Sequence, residues 1–378
     1  MHDKKDSRYD GWLMYHSVGM FPDQQNAVRA ALDTFVSQWY RPDQVRWEYC
    51  LQARQHVLDD WAMLIGAPSR AVFCADSVTE AFGKLVGALG RARLEGRRVL
   101  IAADCFPSLH FLLTGLAPVF GFTLDTVPLA DNGTYVTDDA FVERWDDGVA
   151  LAVITWVTST ASKRANLKRL TAHGRAQGSL IAVDITQGAG LLDFDIEDTP
   201  VDFVASTTLK WLCGAPGAGL AFLNPTLLDN GLAPATRGWF SQPDPFNWDL
   251  DRFSFAPDAR RFDTGTPSFL PFIASAPGLS WRLSDASQGL RAYNLQLCQA
   301  IADVLEHKGY RLASPQNAEE RGGSVMAQLP QHVDAKALES RLFEANVSVD
   351  TRGRVMRFSP GDLTHASIAA QLADLLPE

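Results

Sequence analysis

The chain has 378 residues, more than one domain of about 100–200 residues needs, and its 46% hydrophobic and 21% charged residues exclude a globally disordered polypeptide. Lys and Arg number 34 against 44 Asp and Glu, a net charge of −10. An acidic surface repels phosphate backbones and anionic lipid, so neither nucleic acid nor a membrane is an expected partner.

The opening Met-His-Asp-Lys-Lys-Asp-Ser-Arg-Tyr-Asp-Gly has no apolar core, so no secretory signal is expected and a cytoplasmic location is. Five cysteines, at 50, 74, 105, 213 and 298, form no CxxC pair and read as reduced core thiols. Strands are predicted at 72–74, 99–102, 149–155, 180–184, 203–206 and 219–223. Helical patterns separate them, such as Phe82, Leu85, Val86 and Leu89 on one face. The most apolar stretch, 149–157, is far short of a membrane span. Continuous apolar runs between helices predict an α/β fold with a mostly parallel sheet covered on both faces.

The C-terminal third changes character. A long helix at 290–307 precedes a strand at 324–329, a polar helix at 335–345, strands near 347–349 and 355–358, and a last helix near 365–376. That order predicts a small α+β domain. The break falls near 271–283, which divides the protein into an N-terminal segment (1–66), a large domain (67–275) and a small one (276–378). The N-terminal segment is expected to pack with the small domain or to cross to a partner subunit.

The strongest chemical signal lies between residues 180 and 219. Asp184 ends the buried run Leu-Ile-Ala-Val-Asp, and Lys210 follows the next strand 26 residues later in Ser-Thr-Thr-Leu-Lys. Open α/β sheets bind ligands at such strand ends. A lysine there can condense with an aldehyde cofactor, and a carboxylate there can keep a pyridine nitrogen protonated, which is what pyridoxal 5′-phosphate (PLP) requires. The glycines of Gly-Ala-Pro-Gly-Ala-Gly let the backbone turn tightly after the lysine. Upstream, Asp76-Ser77-Val78-Thr79-Glu80 opens an amphipathic helix with a capping-box pattern. Its first-turn N–H groups and the Thr79 hydroxyl make an anion site suited to a phosphate.

The ordered set resembles fold type I PLP enzymes of the class V aminotransferase superfamily, and most of all its kynureninase branch. The resemblance runs from Tyr15-His16-Ser17-Val18-Gly19-Met20 through Ser77-Val78-Thr79 and Cys105-Phe106-Pro107-Ser108. It continues with Asp184-Ile185-Thr186-Gln187-Gly188-Ala189-Gly190, Lys210 and Arg237-Gly238-Trp239-Phe240. It closes with Arg261-Phe262-Asp263-Thr264-Gly265-Thr266-Pro267 and Val355-Met356-Arg357-Phe358. It implies a large domain built on a seven-stranded, mostly parallel sheet, a small C-terminal α+β domain, and a homodimer acting on a small amino-acid substrate. It also implies roles. Lys210 would bond the cofactor and Asp184 would face its ring nitrogen. Phe106 would stack on the ring, Val78 and Thr79 would bind the phosphate, and Trp239 and Thr266 would reach the phosphate from the neighbouring subunit. Thr158 or Ser159 would sit near the phenolic oxygen, and Arg357 would clamp the substrate α-carboxylate, because a guanidinium fork matches a carboxylate bidentately.

The departures bear on the reaction. Where kynureninases carry a Tyr before the lysine, this protein has Leu209, which has no phenol; Thr207 and Thr208 are the candidates to replace its phosphate bond. Gln187 stands where the branch has a His, as in cysteine desulfurases, and is expected to bond the cofactor oxygen. Leu109 replaces an acid of the branch, and Trp156 replaces a His, either stacking near the substrate or packing in the core. His16 is the best histidine for the substrate pocket and for proton transfer. The other histidines show no metal-ligand spacing, so no metal is expected. The expected reaction is breakage of a C–C or C–S bond in the substrate's side group by a PLP-dependent lyase or hydrolase. The alternatives are an aminotransferase of the same fold and a PLP-binding protein without turnover.

Overall fold

Seven strands pair into one twisted sheet at the centre of the computed structural model, which describes residues 7–130 and 133–377. Residues 1–6, on which the reading of the N-terminus partly rests, lie outside the described residues. In sequence order the strands are β1 (Gly11–Trp12), β2 (Val72–Ala75), β3 (Arg98–Ala102), β4 (Thr123–Val127), β5 (Val149–Thr155), β6 (Leu180–Asp184), β7 (Phe203–Thr207), β8 (Gly219–Leu223), β9 (Arg311–Leu312), β10 (Val325–Gln328), β11 (Val347–Ser348), β12 (Asp350–Arg352) and β13 (Val355–Phe358). The helices are α1 (Gln24–Trp39), α2 (Val45–Leu64), α3 (Val78–Leu94), α4 (Pro107–Phe120), α5 (Asp138–Glu143), α6 (Leu167–Ala176), α7 (Pro225–Asp229), α8 (Leu270–Leu283), α9 (Leu290–His307), α10 (Ala335–Glu344) and α11 (Ile368–Leu375).

The large sheet has the order β2-β8-β7-β6-β5-β3-β4, and β8 alone runs against its neighbours. All other pairs in it are parallel. The mostly parallel sheet expected from the apolar runs is therefore present. Its inner strands are buried along nearly their whole length, which is why they read as unbroken hydrophobic runs. The seventh strand, β4, escaped the sequence reading. It lies at the sheet's edge, where Thr123, Asp125 and Thr126 face a half-solvated environment and break the apolar pattern.

Parallel direction has one consequence for function. The C-terminal ends of β2, β3, β5, β6 and β7 all meet one edge of the sheet. Val78, Phe106, Ser159, Asp184 and Lys210 follow or end those five strands, so residues spread over more than a hundred positions are gathered along one rim.

A second sheet, β12-β13-β10-β9, is antiparallel and packs with α9 and α11 around its own core, which includes Leu297, Ile301, Met356 and Phe358. The N-terminal segment touches both parts. Its β1 pairs with β11, Leu13 enters the smaller core, and α1 and α2 pack against α8. Residues 271–283, where the sequence suggests a break, lie inside α8. Among the described residues no helix is long and apolar enough to cross a membrane.

Candidate active site

Asp184 is buried at the end of β6, where its Oδ1 accepts the Thr186 N–H at 2.9 Å. Burial pushes its carboxyl above the usual range, against the Thr186 bonds and the charge of Lys210. Lys210 follows β7 by three residues. Burial brings its amine down to about 8; Asp184 opposes this, while the charges of Arg357 and Arg352 reinforce it. Roughly a tenth of the amine is then neutral at pH 7, against a few parts in ten thousand for an ordinary lysine. The ring centroid of Phe106 lies 5.3 Å from the Lys210 Nζ, and that ring is exposed at the start of α4. The amine makes no hydrogen bond or ion pair with any described residue.

The loop after the lysine is tightly turned. Cys213 N–H donates to the Lys210 carbonyl at 2.8 Å, and Gly214 N–H donates to the Thr208 carbonyl at 2.7 Å. The Thr208 hydroxyl donates to Ala215 O at 3.0 Å and lies 3.0 Å from Ser275 Oγ. It is thus engaged in the loop's own structure, which leaves Thr207 as the half-buried threonine at the strand end. Across the sheet, Ser77 caps α3 by accepting the Glu80 N–H at 3.1 Å. The Glu80 carboxylate takes the Asp76 N–H rather than that of Ser77, which a reciprocal capping box would use. The N–H groups of Val78 and Thr79 precede the first intrahelical bond and point out of the helix end.

The N-terminal segment closes on this rim. Gly19 N–H donates to Leu209 O at 2.9 Å. A Cβ on Gly19 would lie 1.7 Å from the Lys210 carbonyl oxygen, so no larger residue fits that approach. His16 is buried, with Nδ1 2.7 Å from Ser359 Oγ and Nε2 2.9 Å from Asp350 Oδ1. Burial brings its imidazole down to about 4, so it is neutral at pH 7, and both ring nitrogens are engaged within the protein. The carbonyl of His16 accepts the Gln187 side-chain amide at 3.0 Å, a bond the sequence did not anticipate.

Arg357 is buried and donates Nε to Asp350 Oδ1 at 2.7 Å, Nη2 to Asp350 Oδ2, and Nη1 to the Ser159 carbonyl at 3.1 Å. Of the two hydroxyl residues after β5, Thr158 accepts the Lys163 N–H at 3.1 Å and shapes the loop, while Ser159 meets Arg357 through its backbone. Asp350 was missed in the sequence reading. The signal available was the turn at Gly353-Arg354, which sets Asp350 directly across the hairpin from Arg357.

Three predicted residues remain, of which Trp156 meets the rim through its backbone, its N–H donating to the Asp184 carbonyl at 3.0 Å. Trp156 is buried and packs on Phe194 with ring centroids 5.4 Å apart. A Cβ on Gly188 would come within 2.5 Å of the same indole, so the ring lies flush on that glycine. Trp239 contacts Trp47, Phe240, Phe246 and Trp248, and Thr266 is exposed. No hydrogen bond or ring contact joins either residue to Lys210. Among the described residues no cluster of His, Cys, Asp and Glu is suited to a metal ion.

Residues 37–358 match the family profile described as Aminotransferase class-V. An uncharacterized aminotransferase, YcbU, of Bacillus subtilis is 25% identical over 335 residues, covering 88% of this chain and 85% of that protein. A kynureninase of Deinococcus radiodurans is 28% identical over 326 residues, covering 83% of this chain and 75% of that protein. The fold is similar to that of a cysteine desulfurase from Thermococcus onnurineus NA1, with a TM-score of 0.83 at 16% identity over 96% of this chain and 92% of that one.

Proposed function

The chain belongs to the aminotransferase class-V family of PLP-dependent enzymes, and we propose that within it the protein cleaves a side-chain bond of an α-amino acid, a C–S bond in preference to a C–C bond. The cofactor is PLP, and the rim residues fit it: a partly neutral buried amine, a buried carboxylate at the adjacent strand end, an aromatic ring beside the amine, and a helix N-terminus. Lys210 would bond it, Asp184 would face the ring nitrogen, Phe106 would cover a ring face, Thr207 and the Val78 and Thr79 N–H groups would hold the phosphate, and Ser159 would lie near the phenolic oxygen. Trp239 and Thr266 would serve the phosphate of a second copy. Bound PLP supplies an electron sink that makes the Cα–H of an attached amino acid acidic.

The protein's own residues do the rest. Arg357 has five N–H groups, and three are engaged by Asp350 and Ser159. The remaining two match one α-carboxylate. Lys210, free of hydrogen bonds, takes and returns the proton at Cα.

The choice between C–S and C–C cleavage rests on one observation: Lys210 is the proton-transfer group whose functional atom is left free at the rim. Position 209 is Leu, Gln187 carries an amide that does not titrate and gives one N–H to His16 O, and both nitrogens of His16 are engaged. Hydrolysis of an acyl–carbon bond needs a further acid–base group on the departing fragment, whereas a thiolate leaves unprotonated. Cys298, the one cysteine beyond Cys213, is buried in α9 and its thiol is pushed up to about 11, which argues against a persulfide-forming role on a mobile loop. The same lone lysine also suits an aminotransferase, which needs only one base to relocate the Cα proton.

The test is a panel of S-substituted cysteines, kynurenines and ordinary α-amino acids with keto-acid acceptors. Pyruvate and ammonia from the first group support the proposal. Amino transfer to the keto acid without pyruvate release identifies the aminotransferase.

We further propose a homodimer in the cytoplasm. Phe246, Trp248 and Leu250 are exposed, and the first two lie against Trp239, which makes an apolar surface suited to a second copy. The five buried, unpaired cysteines suit a reducing compartment. A dilution-resistant dimer by light scattering supports the assembly, and a fully active monomer contradicts it.

A further inference from the structure

We infer that Asp350 is a positioning residue that holds Arg357 by one edge of its guanidinium, with His16 as the brace that keeps Asp350 in place. The inference rests on the reading of Arg357 as the α-carboxylate clamp.

The hairpin creates the relationship. Asp350 on β12 is the direct cross-strand partner of Arg357 on β13, so their side chains leave the same face. The carboxylate takes Nε at 2.7 Å with one oxygen and Nη2 with the other, a two-point contact along the side of the guanidinium. The Ser159 carbonyl takes Nη1 at 3.1 Å from a different element. Three contacts on two elements fix the plane of the guanidinium. The direction of its two remaining N–H groups is then determined before any substrate arrives.

Asp350 is itself held. Burial works against its charge, but the His16 and Arg357 hydrogen bonds outweigh this and keep the carboxyl well below the usual range. An ionised carboxylate only accepts, so the His16 bond at 2.9 Å carries its proton on Nε2. The neutral imidazole then accepts at Nδ1 from the Ser359 hydroxyl at 2.7 Å, and Ser359 in turn accepts from Ser324. The series of donors runs Ser324, Ser359, His16, and ends on the Asp350 carboxylate, which also accepts from Arg357. Arg352, whose Nη1 lies 3.6 Å from Asp350 Oδ2, is largely exposed and too distant for a hydrogen bond.

His16 reaches Asp350 from 334 positions away in the sequence, on the segment whose Gly19 packs against the Lys210 backbone and whose carbonyl holds Gln187. One continuous set of contacts thus ties the clamp's orientation to the lysine's loop. A surface ion pair has no such requirement.

The experiment is an absorbance titration of the PLP-loaded enzyme with L-alanine and, separately, with ethylamine, which is alanine without its carboxylate. The ratio of the two apparent Kd values measures recognition of the carboxylate alone. Wild type is expected to favour L-alanine by roughly 30-fold or more. Asp350→Ala, and the nearly isosteric Asp350→Asn, whose amide cannot accept at both positions, are expected to lower that ratio about tenfold while retaining PLP absorbance. Arg357→Ala is expected to abolish the preference. A purely structural ion pair would lower the melting temperature and leave the ratio unchanged. If Arg357→Ala removes the preference while both Asp350 variants keep it, the positioning role is overturned. If Arg357→Ala itself keeps the preference, the clamp reading fails and the inference falls with it.

Discussion

Arg282 Nη2 lies 2.7 Å from Asp362 Oδ2, and the two side chains are almost wholly buried. The same guanidinium donates to the Trp211 carbonyl and lies 2.9 Å from Cys213 Sγ, while Asp362 also accepts the Trp281 indole N–H at 3.1 Å. The pair therefore joins three pieces of the protein: the turn that follows Lys210, helix α8, and the segment after β13. Burial pushes the Cys213 thiol up to about 12, so its sulfur stays protonated beside the arginine. Arg282→Ala leaves the Asp362 carboxylate buried without its counter-charge. Such a loss costs about 3–5 kcal/mol. Urea unfolding of the PLP-free protein measures it directly, and a change near zero would mean that water reaches Asp362.

Only the neutral amine of Lys210 can capture the cofactor covalently. With the amine brought down to about 8, the capture rate is expected to rise with pH up to about 8 and to level off above it. Stopped-flow absorbance after mixing with excess PLP reads this. A rate still climbing past pH 10 would mean a fully hydrated lysine. Borohydride reduction is expected to fix PLP on the Lys210 peptide, and Lys210→Ala to abolish that labelling.

Leu209 sets a limit on acyl chemistry. A positioned acid–base group contributes roughly 10²–10⁴-fold, and neither Leu209 nor His16 supplies one. Kynurenine and 3-hydroxykynurenine are expected to react more slowly than S-substituted cysteines by about that factor. Leu209→Tyr is expected to raise kynurenine turnover above the wild-type level. Rapid hydrolysis of kynurenine by the wild-type protein would contradict this.

Acid should loosen the fold through His16. Its imidazole is brought down to about 4 in the folded state, against an ordinary value of 6.5, by burial and by the charges of Arg357 and Lys210, with Asp350 opposing. Between those two values the unfolded state binds a proton that the folded one does not, so stability rises with pH. The full contribution is present above pH 6.5 and is lost as pH falls towards 4, on the order of 3 kcal/mol. Asp350 adds its own loss only below that window, because its carboxyl lies lower still. Denaturation at pH 7.5 and 4.5 should show a smaller difference for His16→Gln than for wild type.

Asp184 and Lys210 were legible from sequence because each terminates or follows a buried apolar run, and the ends of parallel strands gather along one rim. The five inner strands, and β2, which lies at the opposite edge but is buried throughout, were legible for the same reason: burial on both faces leaves an unbroken hydrophobic signature. β4 was not, because this edge strand is only partly buried and keeps Thr123, Asp125 and Thr126 in its run. The chemical state of the rim was decided elsewhere. Nothing local to Thr208 says that Ser275, Ala215 and Ala218 engage its hydroxyl. Nothing local to Gln187 says that its amide is held by His16, and Asp350 acquires its place only through hairpin register and a histidine from the far end of the sequence. Sequence pattern records which residues are buried and where strands stop, since those follow from neighbours a few positions away. Whether a buried hydroxyl, amide or imidazole is free to act depends on the partner opposite it, and only tertiary packing brings that partner within 3 Å.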